Sequence, residues 1–285
     1  MEIVSLANFS FEQLFKAFSE AFKDYDFQLS KIELKNMLQR RGFEAGLSFA
    51  AVEDNAIVSF TLNGIGRFNG IKTAYDTGTG TIPSFRGRSL ATQIFEFSLP
   101  YLKKAGIKQY LLEVLQHNAK ACKIYKNIGF KVSREFNYFV ADKAAVQVIE
   151  RPNNGSLSIR IIDVDQCSSL TDQMEFTPSW QNSFEAIDRQ VDKFTAIGAF
   201  IDEKLVGYCI TELYAGDITQ LLVHADHRRN GVGTLLLERA LECNKHNAVK
   251  VINTDIDCHS LTHFLATFSI AVSGKQYEMI KKLDD

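Results

Sequence analysis

Nowhere in the 285 residues does an apolar run approach the ~20 needed to cross a bilayer as a helix. The opening MEIVSLANFSFEQLF has no basic segment followed by an apolar stretch, the mark of a secretory leader. A cytoplasmic protein with no membrane partner is therefore expected. An excess of one charge is missing too. Thirty-two Lys and Arg against 34 Asp and Glu leave a formal net charge of −2, which gives no electrostatic basis for nucleic acid as a partner. The five cysteines (Cys122, Cys167, Cys209, Cys243, Cys258) form no CxxC pair, as suits a reducing compartment and thiols used as small apolar groups. Cys258, His259 and His263 come nearest to a metal cluster, but complementary ligands at a recognised spacing are lacking, and no metal is expected. Neither GxGxxG nor GxxxxGK(S/T) occurs, which removes support for dinucleotide and nucleoside-triphosphate sites. What is present, 46% hydrophobic and 23% charged residues, is the composition of a globular chain.

The stretch ERPNNGSL, residues 150–157, concentrates turn formers and divides the chain near its midpoint. Residues 1–150 and 151–285 then read as two copies of one plan. In the first, a strand through IVSLANF leads to a helix with Phe11, Phe15, Phe18 and Phe22 at steps of 4, 3 and 4, a spacing read as a core face. A second helix starts behind Ser30, a good N-cap. Strands follow at LSFAAVE, AIVSFTLNGI and TAYDTGTGTI, then a turn and a helix that Pro100 is expected to kink or shorten. IKQYLLEVL, NAKACKIYKNIG and FKVSREFNYFV read as strand, helix and strand. The second copy repeats this order from LSIRIIDV, with two helices expected within 168–190, to a last strand at QYEMIKKL. Arg86 and Arg228 lie 228 − 86 = 142 residues apart, close to half the chain, which points to a duplication. The expected fold class is α/β, with a mixed α+β sheet in each copy.

Residues 228–233, RRNGVG, end a strand and open a helix. The first amides of a helix have no internal partner and sit at the positive end of its dipole, so a pyrophosphate satisfies both. Arg228 and Arg229 add charge, and glycine lets the ligand approach the backbone. The same glycines also serve as a plain strand-to-helix connection. A weaker copy, RGRSLA, occupies residues 86–91.

The pattern R-x-x-G-x-G/A between strand and helix resembles the acyl-CoA loop of the GCN5-related N-acetyltransferase superfamily. Residues 228–233 match it fully, and residues 86–91 match except at Ser89, where the family has glycine. LLEVLQHNAKACKIYKNIGF, residues 111–130, is similar to the family's strand-helix segment through Leu112, Val114, Asn118, Ala121, Tyr125, Gly129 and Phe130. The chain is thus identified as a tandem member. The resemblance implies two GNAT-like domains, acetyl-CoA as cosubstrate, and transfer to a primary amine by direct attack. Cofactor contacts are expected from Thr81, Ile82, Arg86, Gly87, Arg88, Ser89, Leu90, Ala91 and Asn118 in the first copy. In the second they are expected from Val223, Arg228, Arg229, Asn230, Gly231, Val232, Gly233 and Thr234.

Acetyl transfer needs a base for the amine, donors for the carbonyl oxygen and a proton for the departing thiolate. The resemblance gives the last role to Tyr125. It gives the first to Glu113, as in ribosomal-protein N-terminal acetyltransferases, and Asp76 is a second candidate base. Carried into the second copy at 264 − 125 = 139 residues, the frame places Phe264 at the tyrosine, Ile252 at the glutamate and Asp257 at the asparagine. It also sets Phe268-Ser269 in place of Gly-Phe. None of these replaces the lost chemistry. The N-terminal copy is expected to be catalytic and the C-terminal copy degenerate or accessory. Two alternatives stay open: a catalytic C-terminal copy, and a non-enzymatic protein that binds CoA or a partner. The acceptor is a small-molecule or peptide amine, and the chain a monomer or homodimer.

Overall fold

A computed structural model describes residues 1–25, 28–147 and 157–283. Residues 150–156 of the expected junction lie outside the described residues. The first repeat runs β1 (Glu2–Ser5), α1 (Phe11–Ala21), α2 (Lys31–Arg40), β2 (Phe49–Glu53), β3 (Ala56–Phe68), β4 (Ile71–Thr81) and α3 (Leu90–Lys104). It closes with β5 (Gln109–Leu115), α4 (Ala119–Asn127) and β6 (Lys131–Asp142). The second runs β7 (Leu157–Ile162), α5 (Val164–Cys167), α6 (Phe184–Asp188), β8 (Phe194–Ile201), β9 (Lys204–Glu212) and β10 (Asp217–Val223). Then come α7 (Val232–Cys243), β11 (Ala248–Asp255), α8 (His259–Thr267) and β12 (Val272–Lys282). The class is mixed α/β, as the residue pattern indicates.

Local chemistry accounts for most boundaries. Ser10 and Ser30 each close a capping box, with Gln13 and Glu33, so α1 and α2 start where their first amides find side-chain oxygens. The buried face of α1 is Leu14, Ala17, Phe18 and Ala21, whereas Phe11 is exposed. The aromatic stripe is therefore one edge of the packed face and not its centre. Pro100 does not end α3, which continues to Lys104. Buried Ile94 and Phe95 before the proline and Leu102 after it anchor both halves of the helix. Residues 168–190 do not form two ordinary helices. They hold 3-10 segments at Ser168–Gln173 and Trp180–Asn182 and the short α6, because closely spaced Ser, Thr and Pro favour tight turns.

Two compact units emerge, Met1–Ser133 with Tyr277–Asp285, and Arg134–Gln276. Repeat boundary and compact boundary are thus different quantities. In the first unit the strand order is β1-β2-β3-β4-β5, followed by the distal part of β12. β4 and β5 are parallel and the preceding pairs antiparallel. α1 and α2 bury Leu14, Phe18, Leu34 and Leu38 against Phe60 and Leu62. A separate cluster joins Phe95, Tyr110, Leu112, Phe130 and Met279. In the second unit the order is β6-β11-β10-β9-β8-β7, with β10 and β11 parallel. Neighbouring residues of β8 and β9 point to opposite faces. Ile197 and Cys209 join Leu236 and Leu265 in one core, while Ala196 and Tyr208 join Val164 and Ile187 in another.

Candidate functional site

In both units the parallel central strands stay paired only briefly. β4 and β5 pair through Thr73–Gln109, Ala74–Tyr110 and Tyr75–Leu111, and β10 and β11 through Asp217–Lys250. Beyond these pairs a gap opens. Each strand also carries one residue extra to its antiparallel neighbour, Thr77 in β4 and Thr219 in β10. Their separation, 219 − 77 = 142, equals that of Arg86 and Arg228. The bulge breaks side-chain alternation just where the gap begins.

The two turns share one backbone. Gly87 and Ser89 have φ of 82° and 58°, and Arg229 and Gly231 have 65° and 84°. Each turn thus puts glycine at one left-handed position and a side-chain-bearing residue at the other. Ser89 and Gly231 are the N-caps of α3 and α7, with Leu90–Ala91 and Val232–Gly233–Thr234 supplying first-turn residues. Among the described residues, no atom beyond the adjoining ones lies within 4 Å of the position a Cβ would take at Gly87 or Gly231, so a ligand can approach both. Left-handed backbone costs an L-residue about 1 kcal/mol, and the greater unfolded-state freedom of glycine offsets part of that gain. Ser89→Gly is expected to stabilise the protein by up to about 1 kcal/mol in urea unfolding.

Arg86 and Arg228 act as clasps. Arg86 donates Nε to Thr81 O at 3.3 Å and Nη2 to Ala21 O at 2.9 Å, and pairs with Asp24 at 3.0 Å. Arg228 donates Nε to Val223 O at 3.1 Å and pairs with Glu175 at 2.7 Å. Arg88 and Asn230 are exposed, and Arg88 lies over the Phe85 ring. Ile82 gives its amide to Val58 O at 3.0 Å, and Asn118 caps α4 by accepting from the Ala121 amide at 3.1 Å.

The first unit gathers ionisable groups at its gap. Tyr125 Oη donates to Asp76 Oδ2 at 3.0 Å. The same carboxylate accepts from Thr79 Oγ1 at 2.8 Å and the Gly78 amide at 2.9 Å. Burial raises the Asp76 pKa, and the bonds from Thr79, Tyr125 and Gly78 pull it back only in part. Burial first, then the charge of Asp76, holds the Tyr125 phenol well above its usual range, so it stays protonated at working pH. Glu113 accepts from Tyr75 Oη at 3.1 Å, with the Arg41 guanidinium over the Tyr75 ring. Tyr125 is thus joined to Asp76, while Glu113 is joined to Tyr75. The TAYDTGTG segment shows Asp76 as a candidate, but the bulge at Thr77 that sets it at the gap has no sequence signature.

The second unit corrects the frame by one residue. Asn118 and Cys258 are both N-caps (258 − 118 = 140), and Phe130 N→Tyr125 O is matched by Ile270 N→Leu265 O. Leu265, not Phe264, therefore occupies the tyrosine position, and Ser269–Ile270 that of Gly129–Phe130, whereas Ile252 keeps that of Glu113, because Asp217–Lys250 matches Tyr75–Leu111. A three-residue shortening before β11 and one extra residue within β11, after Val251, moved the register by a net two. Asp76 corresponds to Ile218 (76 + 142 = 218), which shares a core with Leu265. Where the first unit has a hydrogen-bonded pair, the second has two buried apolar residues.

The second unit also holds a cavity of about 380 Å³. Its lining includes Arg228, Arg229, Gly231, Glu175 and Phe264, together with the buried Ile218, Leu222, Tyr208 and Gln220. Glu175 bridges the turn and α8, accepting from Ser260 Oγ at 2.7 Å as well as pairing with Arg228.

The profile of the acetyltransferase (GNAT) family matches residues 9–130 and 162–264. No curated protein matches the sequence. Among solved structures, the chain is similar to a tandem GNAT protein from the clavulanic acid biosynthesis pathway, with a TM-score of 0.75, 16% identity and coverage of 100% of this chain and 99% of that one. A GCN5-related N-acetyltransferase from Sphaerobacter thermophilus gives 0.73 and 12%, covering 100% and 96%. A putative acetyltransferase from Pyrococcus horikoshii gives 0.68 and 14%, covering 99% and 89%.

Proposed function

Because the chain belongs to the acetyltransferase (GNAT) family, we propose that it moves an acetyl group from acetyl-CoA to a primary amine, with the chemistry in the first repeat. One observation carries this reading: the Asp76–Tyr125 hydrogen bond in the first unit against Ile218 and Leu265 at the same positions in the second. An aliphatic pair neither accepts nor donates a proton.

The turn at 86–91 fits an anionic cosubstrate, with open space before Gly87 and the first amides of α3 behind it. Acetyl-CoA supplies the activated acetyl group and a sulfur that takes up a proton when the C–S bond breaks. Asp76, with its raised pKa, accepts the proton of the attacking amine. Tyr125 gives its phenolic proton to the sulfur. The proton on Asp76 then crosses the 3.0 Å bond to Tyr125, so both residues return to their starting state and no free phenolate persists. Glu113 is the alternative base, as the family likeness suggests.

The pH dependence of kcat separates the two. A carboxylate base works only when deprotonated, so activity rises with pH through its pKa. With Asp76 as base, the midpoint lies above the ordinary Asp value of about 3.9. Asp76→Asn removes this limb, and Glu113→Gln keeps it. The opposite pattern would assign the base to Glu113. Stability runs the other way: a raised carboxylate pKa means that the folded state binds the proton more tightly, so this contribution falls as pH rises through the window between the ordinary and raised values.

The cavity supports a second role for the C-terminal repeat, residues 151–285: it holds a CoA thioester without consuming it. Acceptors are small-molecule or peptide amines. A protein that only binds CoA would show affinity without turnover across an amine panel.

A further inference from the structure

The chain that leaves α2 is tied to the middle of the first sheet. Arg41 is the C-cap of α2, and the segment after it runs along β3. The Glu44 amide donates to Asn63 O at 2.8 Å, and the Ile65 amide to Gly42 O at 2.9 Å. This close approach needs glycine at position 64, where an added Cβ would stand 2.0 Å from Arg41 O. On its other side β3 pairs Gly64 with Tyr75 and Asn63 with Asp76. The Arg41 backbone is thereby stationed one strand away from Asp76.

Its side chain reaches across β3 to the bulge. Thr77 has no register partner in β3 and lies beyond the last pair of β4 and β5, and its carbonyl accepts Arg41 Nη1 at 2.9 Å. A bulge leaves its extra residue outside the ladder, so a side-chain donor fixes what the ladder does not. The same guanidinium lies 6.0 Å from the centre of the Tyr75 ring. The titratable and charged groups around Asp76 are Tyr125 from α4, Tyr110 from β5, Tyr75 from its own strand and Arg41, with Glu113 joined beyond Tyr75. Burial holds the three phenols well above their usual range, and so uncharged. Burial also raises the Asp76 pKa, and the Arg41 charge adds to the hydrogen bonds that lower it. The C-cap of α6 in the second unit is an arginine too, Arg189, which pairs with Glu185 at 2.6 Å. The residue at the Asp76 position there is Ile218, which has no charge to tune.

We propose that Arg41 is a positioning residue of the first-unit site: from the end of α2 it holds the Thr77 carbonyl, and with it the bulge, and presents a fixed positive charge to Asp76. This rests on the reading of Asp76 as the base. It adds a residue that acts through that carboxylate.

The carboxyl-carbon resonance of Asp76, identified by its loss in Asp76→Asn, is titrated in the full chain, and the acidic limb of kcat is recorded in parallel. Removing a positive charge favours the protonated carboxyl. Arg41→Gln is therefore expected to move both midpoints to higher pH, by about half a pH unit or more. Arg41→Lys keeps the charge and a donor, and is expected to bring both midpoints back close to those of the unaltered protein. A resonance that does not move in Arg41→Gln overturns the proposal, even if kcat falls, because a packing role alone has that signature. A lysine variant that moves as far as the glutamine variant overturns it as well. If the resonance moves while the kcat limb stays, Arg41 acts on Asp76 and the reading of Asp76 as base fails. If neither moves while Asp76→Asn removes the limb, the base reading stands and the role of Arg41 falls.

Discussion

Tyr125→Phe is expected to lower kcat by about 100- to 1,000-fold, with the KM for acetyl-CoA changed by less than about threefold, in a steady-state assay. The substitution removes one oxygen from a half-buried ring. The ring keeps its edge-on contact with Phe130, at a centroid separation of 5.7 Å. Asp76 keeps its bonds from Thr79 and the Gly78 amide, so the carboxylate does not lose every partner. The stability cost is therefore about 1 kcal/mol, that of one hydrogen bond, and the protein stays folded. In the proposed mechanism, what disappears is the proton given to the leaving sulfur. A change in KM with kcat unaltered would mean that the phenol serves in binding and not in proton transfer.

Gly216→Ala is expected to destabilise the second unit by at least about 2 kcal/mol, read as a lowered urea midpoint. Gly216 sits at the tight turn into β10 with φ of 68°. An added Cβ would stand 2.1 Å from the backbone oxygen of Ala248 and 3.1 Å from His246 Cβ. Neither the left-handed conformation nor the contact can relax cheaply, because Gly216 O also accepts the Lys250 amide at 2.7 Å, beside the Asp217–Lys250 pair of β10 and β11. Gly70→Ala provides the comparison. Gly70 has φ of 77° and, among the described residues, nothing beyond its neighbours within 4 Å of its would-be Cβ, so only the conformational penalty of about 1 kcal/mol applies. Equal losses at the two positions would show that Ala248 yields.

Wherever local chemistry decides, the sequence could be read directly. Ser10 and Ser30 mark helix starts, and strand alternation with the strand-turn-helix pattern reveals both copies of the fold. Tertiary packing decides the rest. The Phe11–Phe22 stripe has helical spacing, yet its first member is exposed because α1 presents Leu14 and Ala17 to the sheet. The equivalence of Tyr125 with Leu265 depends on hydrogen bonds that mark the ends of α4 and α8, and a net two-residue shortening upstream is enough to hide it. Asp76 could be named from the sequence but not ranked. Its partner Tyr125 lies 49 residues away, and the bulge at Thr77 joins them. The cavity depends on where β10 and β11 part, a register that no short motif encodes.

The relay requires Asp76 and Tyr125 to act as one unit, and groups that act together are non-additive in rate. The direct measurement is kcat for Asp76→Asn, Tyr125→Phe and the double variant at saturating acetyl-CoA and amine. Each single change is predicted to slow turnover at least about 100-fold, and the double variant to be no more than about threefold slower than the worse single. Near-normal turnover in either single variant, or a double loss equal to the product of the two, would contradict catalysis by this pair.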